Sequence, residues 1–300
     1  MQANGLPTVR GTLLRDAALA DYTSWRVGGA AETLFIPADV DDLVSFLQQA
    51  TRDAPLLWLG LGSNVLIRDG GVGGSVIVTQ GALHGIDRLD QTCVRAEAGV
   101  SCAQIARYTA RLGLTGLEFM AGIPGTVGGA LAMNAGCYGG ETWQQVLQVE
   151  TINREGVRTV RPASAYQVGY RHVTKPTEEW FVAGFFKLEE GEKTRSLNNI
   201  RVLLEKRNAA QPTGLPNCGS VFRNPPGDHA ARLIEQCGLK GTAIGGARVS
   251  TKHANFIINE GNATAANIEE LIARVSDQVF ARQGVRLIPE VCMLGKAASR

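Results

Sequence analysis

Three polar side chains stand where their chemistry would explain them better than their solubility. Ser220, in GSVFRNP (219–225), sets a hydroxyl between a glycine and bulky apolar residues, with Arg223 and Asn224 three and four positions on. No histidine adjoins it and no GxSxG elbow is present, so an activated nucleophile of the hydrolase type is not indicated. A lone serine also serves as an ordinary turn residue. The catalytic role open to it is proton donor, which needs only an aimed O–H. Glu290 lies in the apolar run VRLIPEVCML. An unpartnered carboxylate there would be costly, so it must be paired, protonated or functional. Arg171, in VGYRHV, is a candidate partner, although a salt bridge tying two domains together would account for both residues equally well.

Backbone chemistry is suggested by glycine, which makes up 36 of the 300 residues. It concentrates in GLGSNVLIRDGGVGG (60–74) and GLEFMAGIPGTVGGALAMNAGCYGG (116–140), both too apolar for flexible linkers. Neither is a Walker loop, and neither is a GxGxxG fingerprint opening a helix, which disfavours a Rossmann nicotinamide domain. Such loops can present main-chain N–H groups to a pyrophosphate, with Ser63, Asn64, Ser101 and Thr126 adding side-chain donors. A pair of tight turns without a ligand would use glycine in the same way.

Helices and short strands alternate around these residues. After Pro37, DVDDLVSFLQQA from Asp39 repeats Val40, Leu43, Phe46, Leu47 and Ala50 at helical spacing. Ser101 and Gln104 form a capping-box pattern whose helix should end at Gly113. LLWLG (56–60), SVIVT (75–79) and CVRAEAG (93–99) read as strands. The first ~190 residues are therefore α+β. A charged stretch, EEGEKTRS, marks a boundary near residue 195. Beyond it the pattern predicts a helix at 196–207, turns at 211–227, a helix at 228–237, strands within 243–259 and a long last helix. That helix has an apolar stripe of Ile268, Leu271, Ile272, Val275 and Val279, with Glu269 and Glu270 in its first turn and Gly284 after it. VRLIPEVCML should form a final strand.

Composition narrows the function classes. The chain is long enough for two or three domains, and 44% hydrophobic with 19% charged residues is an ordinary globular balance. A net charge of +2 leaves no field to attract nucleic acid. No apolar run spans a bilayer and MQANGLPTVR lacks the apolar core of a signal peptide, so a cytoplasmic protein is expected. Cys93, Cys102, Cys137, Cys218, Cys237 and Cys292 are scattered, without metal spacing, and read as reduced thiols.

Seven ordered blocks resemble the UDP-N-acetylenolpyruvoylglucosamine reductases over nearly the whole chain. They are YTSWRVGGAAE (22–32), GLGSNVLIRDGGVGG, GLEFMAGIPGTVGGALAMNAG, VGYR, GSVFRNP, GGARVSTKHANFIIN (245–259) and IPEV (288–291). The resemblance implies an α+β protein with an FAD-binding fold of the vanillyl-alcohol-oxidase (PCMH) type in two subdomains, residues 1–80 and 81–194. A C-terminal substrate domain, 195–300, follows. It implies non-covalent FAD, NADPH as co-substrate, and a ping-pong cycle in which one site serves NADPH and then UDP-N-acetylglucosamine enolpyruvate. Hydride reaches the β-carbon of the enol ether and the α-carbon is then protonated. A monomer that inserts in no membrane and binds no nucleic acid is expected.

By motif position, Ser220 would be the proton donor, with Arg171 and Glu290 polarising the substrate carboxylate. FAD would be held by Gly60, Gly62, Ser63, Asn64, Val65, Gly99, Ser101, Glu118, Gly122, Ile123, Pro124, Gly125, Thr126, Gly128 and Gly129. Substrate would meet Asn134, Tyr138, Tyr170, Asn224 and Lys252. Several positions depart from the family pattern. Ala210 stands where many members carry a lysine for the diphosphate, leaving Lys206 or Arg207 as substitutes. His172 replaces a serine after GYR. The short segment from Tyr170 to Phe186 resembles the branch without an inserted tyrosine loop. An FAD oxidase of the same fold would often tether its flavin through His or Cys, and of these only Cys137 lies in a glycine cluster. A flavin subunit would accompany metal-cluster partners, for which the chain has no cysteine spacing of its own.

Overall fold

The computed structural model describes residues 8–298; the stretch MQANGLP, part of the start read for a signal peptide, lies outside them. In chain order the elements begin with β1 (Thr12–Ala18), β2 (Ala30–Ile36), α1 (Val40–Gln49), β3 (Leu56–Leu59), β4 (Val65–Ile67), β5 (Val72–Val78), β6 (Ile86–Arg88) and β7 (Cys93–Glu97). Next come α2 (Cys102–Arg111), β8 (Leu114–Thr115), α3 (Val127–Met133), β9 (Gly136–Cys137), β10 (Gly140–Glu141), β11 (Val146–Ile152) and β12 (Arg158–Pro162). β13 (Gln167–Gly169), β14 (His172–Thr174), β15 (Trp180–Lys187), β16 (Glu189–Glu190) and α4 (Lys193–Ala210) follow. The chain closes with α5 (Ala230–Gln236), β17 (Ala243–Ile244), β18 (Ala247–Val249), β19 (Ile257–Asn259), α6 (Ala265–Gln283) and β20 (Cys292–Leu294).

Contacts divide the chain into two units, neither of them continuous in sequence. The first comprises residues up to Arg15, Thr33–Leu61 and Gly74–Glu205; the second comprises Asp16–Glu32, Gly62–Gly73 and the chain from Lys206 on. This differs from the segments read from the sequence. The break falls between Glu205 and Lys206, in the C-terminal part of α4, whereas the sequence placed it near residue 195. Residues before and after 80 also share a core in the first unit, where Phe35, Phe46 and Ile77 cluster with Ala98, Ile152 and Val182.

The first unit holds β3 and most of β1, β2 and β5, in a four-stranded sheet of order β1-β2-β5-β3, and a five-stranded antiparallel sheet, β12-β11-β15-β7-β6. α1 forms as expected. Asp39 caps it by accepting the Asp42 N–H at 2.9 Å, Val40, Leu43, Phe46 and Leu47 are buried, and Phe46 stacks on Phe35 at 4.3 Å. Ser101 caps α2 through the Gln104 N–H at 3.1 Å, and Gly113 follows its C-cap with φ 74°.

In the second unit the early segments are stitched to the C-terminal part by specific bonds. The Trp25 indole donates to the Ile257 carbonyl at 2.7 Å, Asn259 Nδ2 donates to the Trp25 carbonyl at 2.8 Å, and β4 pairs in parallel with β20. α6 presents the expected stripe to this core, with Ile268, Leu271, Ile272, Val275 and Val279 all buried. It starts earlier than read, capped by Thr264 and Asn267, with the Asp69 carboxylate accepting the N–H groups of Ala265 and Ala266 at 2.9 Å each. Glu269 and Glu270 consequently fall in its second turn, and Glu269 pairs with Arg68 at 2.8 Å. The run VRLIPEVCML forms regular strand only at its end, in β20.

Candidate active site

The segments that carry Ser220 and Glu290 are paired by the main chain of the second unit. The Glu290 N–H donates to the Val221 carbonyl at 2.8 Å, the Arg223 N–H donates to the Ile288 carbonyl at 2.9 Å, and Phe222 bridges Pro289 between them. Two asparagines lock this pairing. Asn255 accepts the Phe222 N–H and donates to its carbonyl, at 2.9 and 2.8 Å. Asn64 Nδ2 donates to the Glu290 carbonyl at 3.2 Å while the Asn64 carbonyl accepts the Cys292 N–H at 3.0 Å. Glu290 is half-buried, not enclosed among apolar neighbours. Its charge is felt by two thiols: burial pushes Cys218 well up and Glu290 adds to it, while Cys292, raised by burial, is pulled down by Arg223 and up by Glu290. Asn224 is exposed and its Oδ1 accepts the Ala230 N–H at the start of α5, at 3.1 Å. Lys252 is exposed, with its ammonium on the Asn208 carbonyl. Gly62 and Ser63 also belong to this unit, and Val65 opens β4; the Gly62 carbonyl accepts from the Ser24 N–H at 3.1 Å and its hydroxyl at 3.3 Å.

In the first unit a cleft of about 130 Å³ is lined by Trp58, Gly60, Thr79, Gly128, Gly129 and Lys175, among others. Gly60 permits close packing, since a Cβ there would stand 2.4 Å from Thr126 Oγ1. Gly128 does the same between α3 and the end of β7, where a Cβ would come within 2.8 Å of the Ala98 Cβ. Thr126 caps α3, and Ser101 bridges it; Gly122 ends a 3-10 turn from Glu118, and Gly99, Ile123, Pro124 and Gly125 lie in the connecting loops. Trp58 stacks on Trp180 at 5.3 Å. Burial holds the Lys175 ammonium below its ordinary pKa, against the opposing pull of Glu179 and Glu178. Trp58, Lys175 and Asn255 were missed in the sequence; they sit among residues that read equally well as strand or turn.

Glu118 and Asn134 are each held by several bonds inside the first unit. Glu118 takes three donors within its own unit: Thr115 Oγ1 at 2.7 Å, Ser196 Oγ at 2.6 Å and the Gly116 N–H at 2.8 Å. Burial raises its pKa, but the bonds from Ser196, Thr115 and Gly116 outweigh that and hold it below the ordinary Glu range. Asn134 is 1% exposed, and its amide bonds to Glu141, the Gly169 carbonyl and the Trp143 N–H.

Arg171 sits in the two-residue turn between β13 and β14, with φ 54°, its guanidinium on the Gly136 carbonyl at 2.9 Å and 5.2 Å from the Tyr170 ring centre. Tyr138 and Tyr170 are exposed, the former with φ 53°. His172 is exposed and contacts Thr174 Oγ1 at 3.0 Å. Cys137 is half-buried with its thiol on the Phe119 carbonyl at 3.0 Å.

The domain described as "UDP-N-acetylenolpyruvoylglucosamine reductase, C-terminal domain" matches residues 211–294 and the one described as "FAD binding domain" matches 31–161. The UDP-N-acetylenolpyruvoylglucosamine reductase of Legionella pneumophila is 57% identical over 298 residues, covering 99% of this chain and 97% of that protein. The chain belongs to the UDP-N-acetylenolpyruvoylglucosamine reductase family. The same-named protein of Methylococcus capsulatus is 56% identical over 288 residues, 96% of this chain and 95% of that one. The crystal structure of the family's Thermus caldophilus member superposes with a TM-score of 0.80 at 33% identity, covering 95% of this chain and 99% of that one. Membership makes the chain an FAD-containing oxidoreductase, with the FAD-binding (PCMH-type) fold followed by the family's C-terminal domain.

The first-unit residues fit that cofactor. Gly129 is exposed and lines the cleft, nothing stands closer than 3.7 Å to where its Cβ would be, and its N–H has only a stretched 3.5 Å bond to Thr126. A main-chain donor is thereby left for an acceptor on the dinucleotide. Among the described residues no His, Cys, Asp and Glu cluster could hold a metal, and no helix is long and apolar enough to cross a membrane.

Proposed function

We propose that this protein reduces UDP-N-acetylglucosamine enolpyruvate to UDP-N-acetylmuramate with electrons from NADPH, in peptidoglycan precursor synthesis. The observation that carries the reading is the main-chain pairing of the Ser220 and Glu290 segments, inside the stretch that matches the reductase C-terminal domain. FAD, which Gly60, Gly128 and Gly129 of the first unit would hold, would supply the two-electron chemistry that carries hydride from NADPH to the β-carbon of the enol ether. Addition there leaves negative charge on the α-carbon and its carboxylate. Ser220 gives its proton to that carbon, a transfer that needs an aimed O–H and no activated alkoxide. Arg171 clamps the carboxylate through two N–H bonds, and Glu290 donates a hydrogen bond to the developing charge when protonated.

Asn224, Tyr138 and Tyr170 contact the nucleotide sugar in this reading. Lys252 is the cation for the diphosphate, because it reaches the Asn208 carbonyl two residues before Ala210, where the family's usual lysine is missing. The enzyme is a cytoplasmic monomer. Glu290→Gln keeps the shape and removes the titratable proton. It should slow oxidation of reduced enzyme by the enolpyruvyl substrate at least tenfold, while NADPH reduces the flavin at its ordinary rate. Unchanged turnover would remove Glu290 from the chemistry.

A further inference from the structure

Asn134 ends α3 in the left-handed conformation, φ 41°, and is 1% exposed. An amide side chain offers two N–H donors and one carbonyl oxygen. Here the donors go to the Gly169 carbonyl at 3.1 Å and the Glu141 carboxylate at 2.9 Å, and the oxygen accepts the Trp143 N–H at 3.2 Å. No donor remains for a substrate. What Asn134 holds is instructive, because Gly169 is the residue that leads into the Tyr170–Arg171 turn.

The same stretch grips the turn a second time. Two residues after Asn134, the Gly136 carbonyl accepts the Arg171 guanidinium at 2.9 Å. One short segment therefore fixes both the backbone entering the turn and the side chain at its tip. Such fixing is needed, since Arg171 has φ 54° and a non-glycine residue in that region costs about 1–2 kcal/mol. Left to itself the turn would relax and carry the guanidinium with it. Glu141 is held for its part by the Asn134 amide and by its own N–H on Gln144 Oε1 at 3.1 Å.

We propose that Asn134 is a positioning residue for the reaction, acting through Arg171 by holding the β13–β14 turn at Gly169. This rests on the role given to Arg171 above. α3 extends the device, because its first turn carries Gly128 and Gly129 of the cleft and its last residue is followed at once by Asn134. The guanidinium is thus referenced through one rigid helical turn and a half to the surface that meets the cofactor.

A purely structural asparagine would affect activity independently of Arg171, so a double-mutant cycle separates the two cases. Asn134→Ala, Asn134→Gly, Arg171→Ala and the Asn134→Gly/Arg171→Ala pair are purified with FAD bound. Asn134→Gly is the safer variant for folding, because glycine accepts the left-handed helix end and only the side chain is lost. Each enzyme is reduced anaerobically by NADPH and mixed with the enolpyruvyl substrate in a single turnover. Asn134→Gly should slow this half-reaction about ten- to a hundredfold, as small misplacements of a binding group do, with flavin reduction by NADPH changed less than about twofold. In the Arg171→Ala background the same substitution should cost less than about twofold. Equal factors in both backgrounds would overturn the proposal, as would a wild-type rate in Asn134→Gly. Full activity in Arg171→Ala alone would instead overturn the role of Arg171 itself.

Discussion

Replacing Glu118 by alanine removes one acceptor from three donors, and the distances fix what that should cost. The Gly116 N–H, at 2.8 Å, is held by the backbone and cannot turn elsewhere, whereas the Thr115 and Ser196 hydroxyls, at 2.7 and 2.6 Å, can rotate. A hydrogen bond to a charged group contributes about 1.5–3 kcal/mol. Counting the fixed N–H in full and the hydroxyls in part gives a loss of about 3 kcal/mol. For a chain of this size that is a fall in Tm of roughly 6–12 °C. The assay pairs thermal unfolding of the FAD-free protein with FAD affinity by flavin fluorescence. A brace predicts the full stability loss with FAD affinity changed less than about threefold. Unaltered unfolding with affinity down tenfold or more would instead make Glu118 a cofactor ligand and not a brace. Acid adds a second check. A carboxyl whose folded pKa lies below its unfolded value contributes stability at pH above the ordinary Glu value of about 4.3, and that contribution disappears as pH falls through the folded pKa. The Glu118→Ala protein should therefore lose less stability than the parent on acidification below about pH 4.3.

Gly128→Ala should destabilise the protein by about 1–3 kcal/mol and weaken FAD, through overpacking of α3 against Ala98. Gly129→Ala, with its nearest neighbour at 3.7 Å, should leave the FAD-free melting temperature unchanged; equal melting shifts for the two would contradict the packing described. Ser220→Ala should leave reduction by NADPH nearly intact and slow the enolpyruvyl half-reaction by about 10²–10⁴-fold, whereas equal losses in both steps would end its role as proton donor. Trp25→Phe strands the Ile257 carbonyl in a fully buried place and should cost about 1–3 kcal/mol in denaturant unfolding, against no change if that bond is incidental.

Local pattern carried far in this chain where a rule of spacing applied. The repeats of Val40, Leu43, Phe46 and Leu47, and of Ile268 to Val279, are the buried faces of α1 and α6. The stretch before α6 was harder, since its start depends on the Asp69 carboxylate some two hundred positions away in sequence. The interleaving of the two contact units is hidden for the same reason. Nothing in the composition near Trp25 or Val65 reveals that one bonds to Ile257 and the other pairs with Cys292. At the site, motif position singled out Ser220 and Glu290, and the bonds among Val221, Asn255, Asn64 and Glu290, invisible in the sequence, show how their two segments are paired. Asn134 and Glu118 mark the limit. A polar residue in a glycine-rich motif has the same appearance in sequence whether it touches a ligand or braces the loop that does, and its bonds inside the fold are visible only in the structure.

Passage of electrons from NADPH to the enolpyruvyl ether through FAD in one enzyme can be followed by reducing the purified protein anaerobically with one equivalent of NADPH and then mixing it with UDP-N-acetylglucosamine enolpyruvate in a stopped-flow spectrometer. The absorbance of oxidised flavin should return without oxygen, with UDP-N-acetylmuramate formed in equal amount. Flavin that is reduced by NADPH and stays reduced in the presence of that substrate would contradict such a passage.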